Sequence, residues 1–170
     1  MMKANERRQK ILELLDRDQP RKGTELAGIL GVSRQVIVQD VAVLRAAGAG
    51  ILATPQGYLR PGPEKRCQRT FACQHDMDGL AEELQIMVDY GGRVIDVVVE
   101  HPLYGEIRGY LMLASRYDVQ KFVADLKASG ARPLYTLTGS GAHLHTVEAA
   151  NDDILAIIAA KLARAGFLLE

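Results

Sequence analysis

The chain has little that would place it in a membrane or outside a cell. No run of about 18 apolar residues occurs among its 170 residues, so no segment has the length needed to span a bilayer. The first residues, Met1-Met-Lys-Ala-Asn-Glu-Arg-Arg8, lack the apolar stretch of a signal peptide. A cytoplasmic location with no membrane partner is the expectation. Cysteine is scarce: Cys67 and Cys73 are the only two, and six residues of strand would hold them about 20 Å apart, too far for a disulfide between them. Catalytic signatures are missing as well. There is no Ser-His-Asp or Cys-His arrangement in a recognisable context, no phosphate-binding glycine-rich loop and no His-Glu-x-x-His helix, so the chain is not expected to be an enzyme. It also has no internal repeat and no low-complexity segment.

Net charge is absent too, with 21 Lys and Arg against 21 Asp and Glu, which taken alone argues against a nucleic-acid partner. Its distribution reverses that conclusion. Residues 1–66 hold 12 basic against 7 acidic side chains, a net of +5, and residues 67–170 hold 9 against 14, a net of −5. A basic N-terminal part attracts a phosphate backbone and an acidic C-terminal part is held away from it.

The basic part contains two short helical patterns around a Gly-Val-Ser turn. Leu26, Ala27 and Leu30 fall at helical spacing, Gly31 suits a left-handed helix end, and Ser33 suits the cap of the next helix. That second helix, expected over 33–47, buries Val36, Ile37, Val41 and Leu44 and turns Arg34, Gln35 and Gln39 outward. Arg reads guanine bidentately and Gln reads adenine, and the second helix of a helix-turn-helix lies in the major groove. A first helix over 6–17 packs behind the pair, and residues 51–60 read as a strand, a Pro-Gln-Gly turn and a strand. Together they make a winged helix-turn-helix. Arg21, Lys22, Thr24 and Ser33 lie near helix starts, and Tyr58 and Arg60 lie on the wing, where they suit phosphate contacts.

A joint over 60–66, with two prolines and a glycine, separates a DNA-binding domain (1–62) from a second domain (63–170). The second domain reads as a strand over 66–74, a helix over 77–90, strands over 94–100 and 106–113, and a helix over 116–128. Short strands over 134–137 and 143–147, a helix over 152–165 and an edge strand over 167–169 follow. The whole is α+β, with an antiparallel sheet covered on one face by helices.

All four histidines lie in this domain. In His143-Leu-His145, strand periodicity puts both imidazoles on one face about 7 Å apart along the backbone and turns Leu144 to the core. His75 ends the first strand, and Glu82 or Glu83 follows one to two turns into the next helix. Three imidazoles and a carboxylate suit Zn, Ni, Fe or Mn. Taken by itself, a His-x-His pair also fits two exposed side chains at a sheet edge, and His101, before Pro102, either binds a small ligand or shapes a turn.

Cys73-Gln-His75, Asp96-Val-Val-Val-Glu-His-Pro-Leu-Tyr-Gly-Glu-Ile107, Ser115-Arg-Tyr-Asp-Val119, Pro133-Leu-Tyr-Thr-Leu-Thr138 and Gly141-Ala-His-Leu-His-Thr146 resemble the three-histidine (3H) regulatory domain of niacin-responsive transcriptional repressors. The N-terminal part is similar to the biotin-operon-repressor type of winged helix that precedes it. The resemblance covers the whole chain. It implies a repressor of genes for NAD biosynthesis or niacin uptake, with nicotinic acid as co-repressor and a regulatory domain of phosphocarrier-like fold. It also implies one divalent ion per chain, nickel or zinc foremost, with iron and manganese as alternatives, held by His75, Glu83, His143 and His145. The choice of Glu83 over Glu82 comes from the resemblance.

On this reading a homodimer presents two winged helices to a pseudo-palindromic operator, and His101, Tyr104 and Arg108 supply polar contacts to nicotinate. The alternatives are a metal-sensing repressor without an organic effector, and a metal-dependent hydrolase with Glu106 as base.

Overall fold

Spacing of apolar side chains divides the chain into two separate cores. The computed structural model describes residues 2–61 and 66–169, and its backbone falls into two compact units, Met1–Glu64 and Lys65–Glu170. The joint expected over 60–66 lies largely outside the described residues.

In the first unit, helices α1 (Ala4–Leu14), α2 (Gly23–Leu30) and α3 (Arg34–Ala46) precede a hairpin of β1 (Leu52–Thr54) and β2 (Gly57–Leu59). Gly31 takes the left-handed conformation that ends α2, and the Ser33 hydroxyl caps α3 by accepting the Val36 N–H. The chain turns through 104° between these two helices, the geometry of a helix-turn-helix. Ile11, Leu26, Leu30, Ile37, Val41 and Leu44 form the core between them. The expected stripe on α3 needs one correction, because Val36 is only half-buried while Asp40, one turn on, is buried. Two α1 side chains make this tolerable: Arg7 Nε and Arg8 Nε lie 2.5 and 2.9 Å from the Asp40 carboxylate. Burial pushes that carboxyl upward, and the two guanidiniums outweigh it and hold it below the usual range.

The wing is tied to the start of α2. Arg21 and Tyr58 exchange backbone hydrogen bonds of 2.8 and 2.9 Å, which makes Arg21 a third rung beside β2. Gly57 sits at φ +138°, and a Cβ there would lie 2.5 Å from the Arg21 carbonyl oxygen. Since the obstacle is backbone, Gly57→Ala is expected to lower the unfolding free energy of this unit by about 1–3 kcal/mol. Thermal unfolding by circular dichroism checks it, and an unchanged midpoint would contradict the close approach.

The second unit runs β3 (Cys67–Gln74), α4 (Leu80–Asp89), β4 (Arg93–His101), β5 (Gly105–Leu113), α5 (Arg116–Ser129), a 3-10 turn (Leu134–Leu137), β6 (Ala142–Ala149) and α6 (Asp152–Arg164). Its sheet is antiparallel in the order β3-β6-β4-β5. Leu84, Met87, Val119, Leu155, Ile158 and Leu162 from the three helices share one core with Phe71, Val94, Val97, Leu113 and Val147 from the strands, so one sheet face carries the helices. Ser115 and Asn151 cap α5 and α6 through their side-chain oxygens. Residues 167–169 join the edge of β3 through the bridge between Cys73 and Leu168.

Two expectations fail here. Residues 134–137 form a 3-10 turn and not a strand. Pro133 starts it, and the hydroxyls of Thr136 and Thr138 bond back to the carbonyls of Pro133 and Tyr135, which satisfies the segment locally. Leu144 does not turn to the core: it is 38% exposed, whereas His143 and His145 are 3% and 2% exposed. The two imidazoles of β6 point inward because partners for their ring nitrogens wait there.

Candidate metal centre and nucleic-acid face

His75 follows β3, Glu83 lies in the first turn of α4, and His143 and His145 stand on the helix-covered face of β6. The structure brings all four together. Each imidazole gives its Nδ1–H to a backbone carbonyl: His75 to Asp76 at 2.6 Å, His143 to Gly141 at 2.8 Å and His145 to Asp96 at 2.7 Å. A carbonyl can only accept, so these bonds fix the tautomer and leave each Nε2 free of a proton in the neutral ring. All three Nε2 atoms then face one carboxylate. From Glu83 they lie at 2.8 Å (His75), 3.3 Å (His143) and 3.3 Å (His145).

Glu83 is fully buried, and its Oε1 makes no hydrogen bond. Burial drives its carboxyl up, but charge on His145 and hydrogen bonds from His143, His145 and His75 outweigh burial and hold it well below the usual carboxylate range. For His75 and His145, burial works downward and the Glu83 carboxylate raises both. A buried carboxylate facing three Nε2 atoms requires positive charge among them, carried either by protons on those nitrogens, which then donate to it, or by a cation held by their lone pairs. The ligand atoms of His75, Glu83 and His143 lie within 4.8 Å of one another, and His145, outside that group, places its Nε2 3.3 Å from Glu83 Oε2. An N₃O donor set with each outer nitrogen already bonded fits a divalent transition metal ion.

Three residues that spacing did not single out shape this pocket. Tyr135 is buried on the 3-10 turn, its ring stacked on His143 at 5.2 Å and edge-on to His75 at 4.8 Å. Gly79 admits the His75 ring against the start of α4, since a Cβ there would come within 2.8 Å of the His75 side chain. Cys73, paired with His143 in register, is fully buried, and burial followed by the Glu83 charge pushes its thiol far up. It is an inert neighbour. Only the misassigned turn hid Tyr135.

The other expected ligand contacts lie elsewhere. His101 Nδ1 accepts the N–H groups of Leu103 and Tyr104 at 3.2 and 3.4 Å, and its ring packs on Tyr104. It shapes the β4–β5 turn. Arg108 pairs with Val98, which pairs with Leu144, and so lies on the sheet face opposite the cluster.

On the first unit, Arg34, Gln35 and Gln39 are exposed on α3, as are Lys22, Thr24, Ser33 and Arg60. Arg21 is partly engaged, with its guanidinium 3.0 Å from Glu25. Tyr58 is half-buried, and both its ring and the Arg34 side chain flank Gly23. Of these residues, Lys22, Thr24, Arg34 and Tyr58 border a depression of about 280 Å³ between the helix starts and the wing.

Residues 68–170 match the 3H domain family and residues 7–59 match an HTH domain family. A Thermotoga maritima protein named "Probable transcription repressor NiaR" is 45% identical over 166 residues, covering 97% of this chain and 94% of its own length. The Bacillus subtilis protein named "Transcription repressor NadR" is 37% identical over 174 residues, covering 100% and 96%. The chain belongs to the 3H-domain family of NiaR/NadR-type transcription repressors.

The four-residue cluster therefore lies inside the 3H domain, and the Arg34 to Gln39 face lies inside the HTH domain. Among the described residues no single helix is long and apolar enough to cross a membrane.

Proposed function

We propose that this protein represses genes of NAD biosynthesis or niacin uptake, holding operator DNA as a homodimer with nicotinic acid as co-repressor. In this reading one divalent ion per chain, nickel or zinc, sits among His75, Glu83, His143 and His145. The observation that carries it is the convergence of three tautomer-locked Nε2 atoms on the buried carboxylate of Glu83, whose Oε1 has no hydrogen bond, in a chain that also exposes Arg34, Gln35 and Gln39 on a capped second helix. Both named relatives are described as transcription repressors.

When bound, the ion supplies the positive charge that the buried carboxylate demands and a Lewis-acid position for an aromatic nitrogen or carboxylate oxygen. The protein's own residues do the rest. Glu83 joins α4 to the sheet through His143 and His145, so whatever charge occupies the pocket also sets how helix and sheet are held. Tyr135 offers an aromatic wall beside His75 and His143. A co-repressor shifts DNA affinity only by its differential affinity for two arrangements of the protein.

The test is a gel shift on the upstream region of a niacin-uptake gene, with nicotinic acid or nicotinamide, before and after chelation. Nicotinic acid is expected to tighten operator binding by about 5–150-fold, the usual span of such couplings, and chelation to abolish that gain. Binding set by the ion alone would favour a metal sensor, and binding indifferent to both would overturn the reading.

A further inference from the structure

The ladder between β4 and β6 is interrupted in its middle. Val94 pairs with Val147 and Val98 with Leu144, so three residues of β4 face two of β6, which is a β-bulge. Groups of Asp96 fill the gap. Its carbonyl accepts His145 Nδ1–H at 2.7 Å, and its Oδ1 accepts the Thr146 N–H at 3.1 Å. Its Oδ2 takes a hydrogen bond from the Arg108 guanidinium, whose other nitrogen donates to Glu106 at 2.7 Å. Asp96 is 2% exposed, and a carboxylate so enclosed is costly without a paired cation. Arg108 is that cation.

The three imidazoles differ in how their outer nitrogen is held. His75 bonds the carbonyl of the next residue and His143 that of a residue two back, so local chain geometry orients both. His145 bonds a carbonyl 49 residues away. Its ring is therefore aimed only as well as the bulge is fixed, and the bulge is fixed by Asp96. We propose that Asp96 is a positioning residue for His145, and that Arg108, from the opposite face of the sheet, holds Asp96 in that role. The inference rests on the ion-site reading for its effect on affinity but not for its geometry.

Two variants test it in the full-length protein. Arg108→Met keeps the apolar stem of a half-exposed side chain and removes the charge. Asp96→Asn keeps an acceptor for Thr146 and loses the ion pair. In chelated wild-type protein the His145 Nδ1 proton is expected as a downfield, slowly exchanging NMR resonance, and both variants are expected to broaden or lose it. In zinc titrations both are expected to bind about 10–100-fold more weakly, with Arg108→Lys recovering most of the loss. An unchanged resonance with zinc affinity within twofold of wild type in both variants would overturn the proposal, since Asp96 would then only close the bulge. Failure of wild-type protein to bind zinc, together with a resonance that still depends on Arg108, would uphold the positioning role and sink the ion-site reading instead.

Discussion

Glu83→Gln is expected to remove the divalent-ion dependence of the second unit's stability. In wild-type protein an ion bound only to the folded state adds stability as RT ln(1 + [L]/Kd), about 4 kcal/mol when free ion exceeds Kd a thousandfold. For a unit of this size each kcal/mol moves the midpoint by roughly 4–8 °C, so chelation should lower the transition of this unit by more than 10 °C. The glutamine variant loses the only anionic ligand of the set, the one group contacted by all three imidazoles. Its midpoint should be the same with and without chelator. The helix-turn-helix unit, with its separate core, serves as the internal control, because its transition should not move in any of the four samples. Calorimetry at fixed ion concentration checks all of this. A glutamine variant that kept the wild-type shift would show that the ion binds elsewhere.

The second large effect concerns DNA. Arg34→Ala and Gln39→Ala should each reduce the preference for operator over random duplex by about 1–3 kcal/mol, the worth of a good bidentate base contact. Both side chains are exposed on α3, so neither change should alter folding. Lys22→Ala and Arg60→Ala should instead weaken binding to every duplex alike and flatten the dependence of log K on log salt by about one per lost phosphate contact. Arg21→Ala should act the same way but more weakly, because Glu25 already competes for that guanidinium at 3.0 Å. Competition binding at several salt concentrations separates the two classes. An Arg34 variant that lost affinity for operator and random DNA equally would place that side chain on phosphate.

The cap and glycine at Ser33 and Gly31, the stripe of α2 and the β-branched run of β4 were legible in the chain because they obey local rules. Caps, left-handed glycines and a periodicity of two or 3.6 depend on neighbours a few residues away. The same locality explains the misreadings. Leu134–Leu137 has strand-like composition, yet Pro133 and two threonine hydroxyls satisfy a tighter turn. Leu144 looks like the core residue of its strand, yet it is the one that faces outward.

What the sequence alone determined was that two domains of opposite charge follow one another, that the first carries a helix-turn-helix with Arg34, Gln35 and Gln39 on its outer face, and that the histidines gather in the second. Tertiary structure decided the rest: that Tyr135 packs against His75, and that Asp40 is buried between Arg7 and Arg8. Those outcomes turn on which partners arrive from dozens of residues away. A buried polar group is stable only where such a partner meets it, and no local pattern records that meeting.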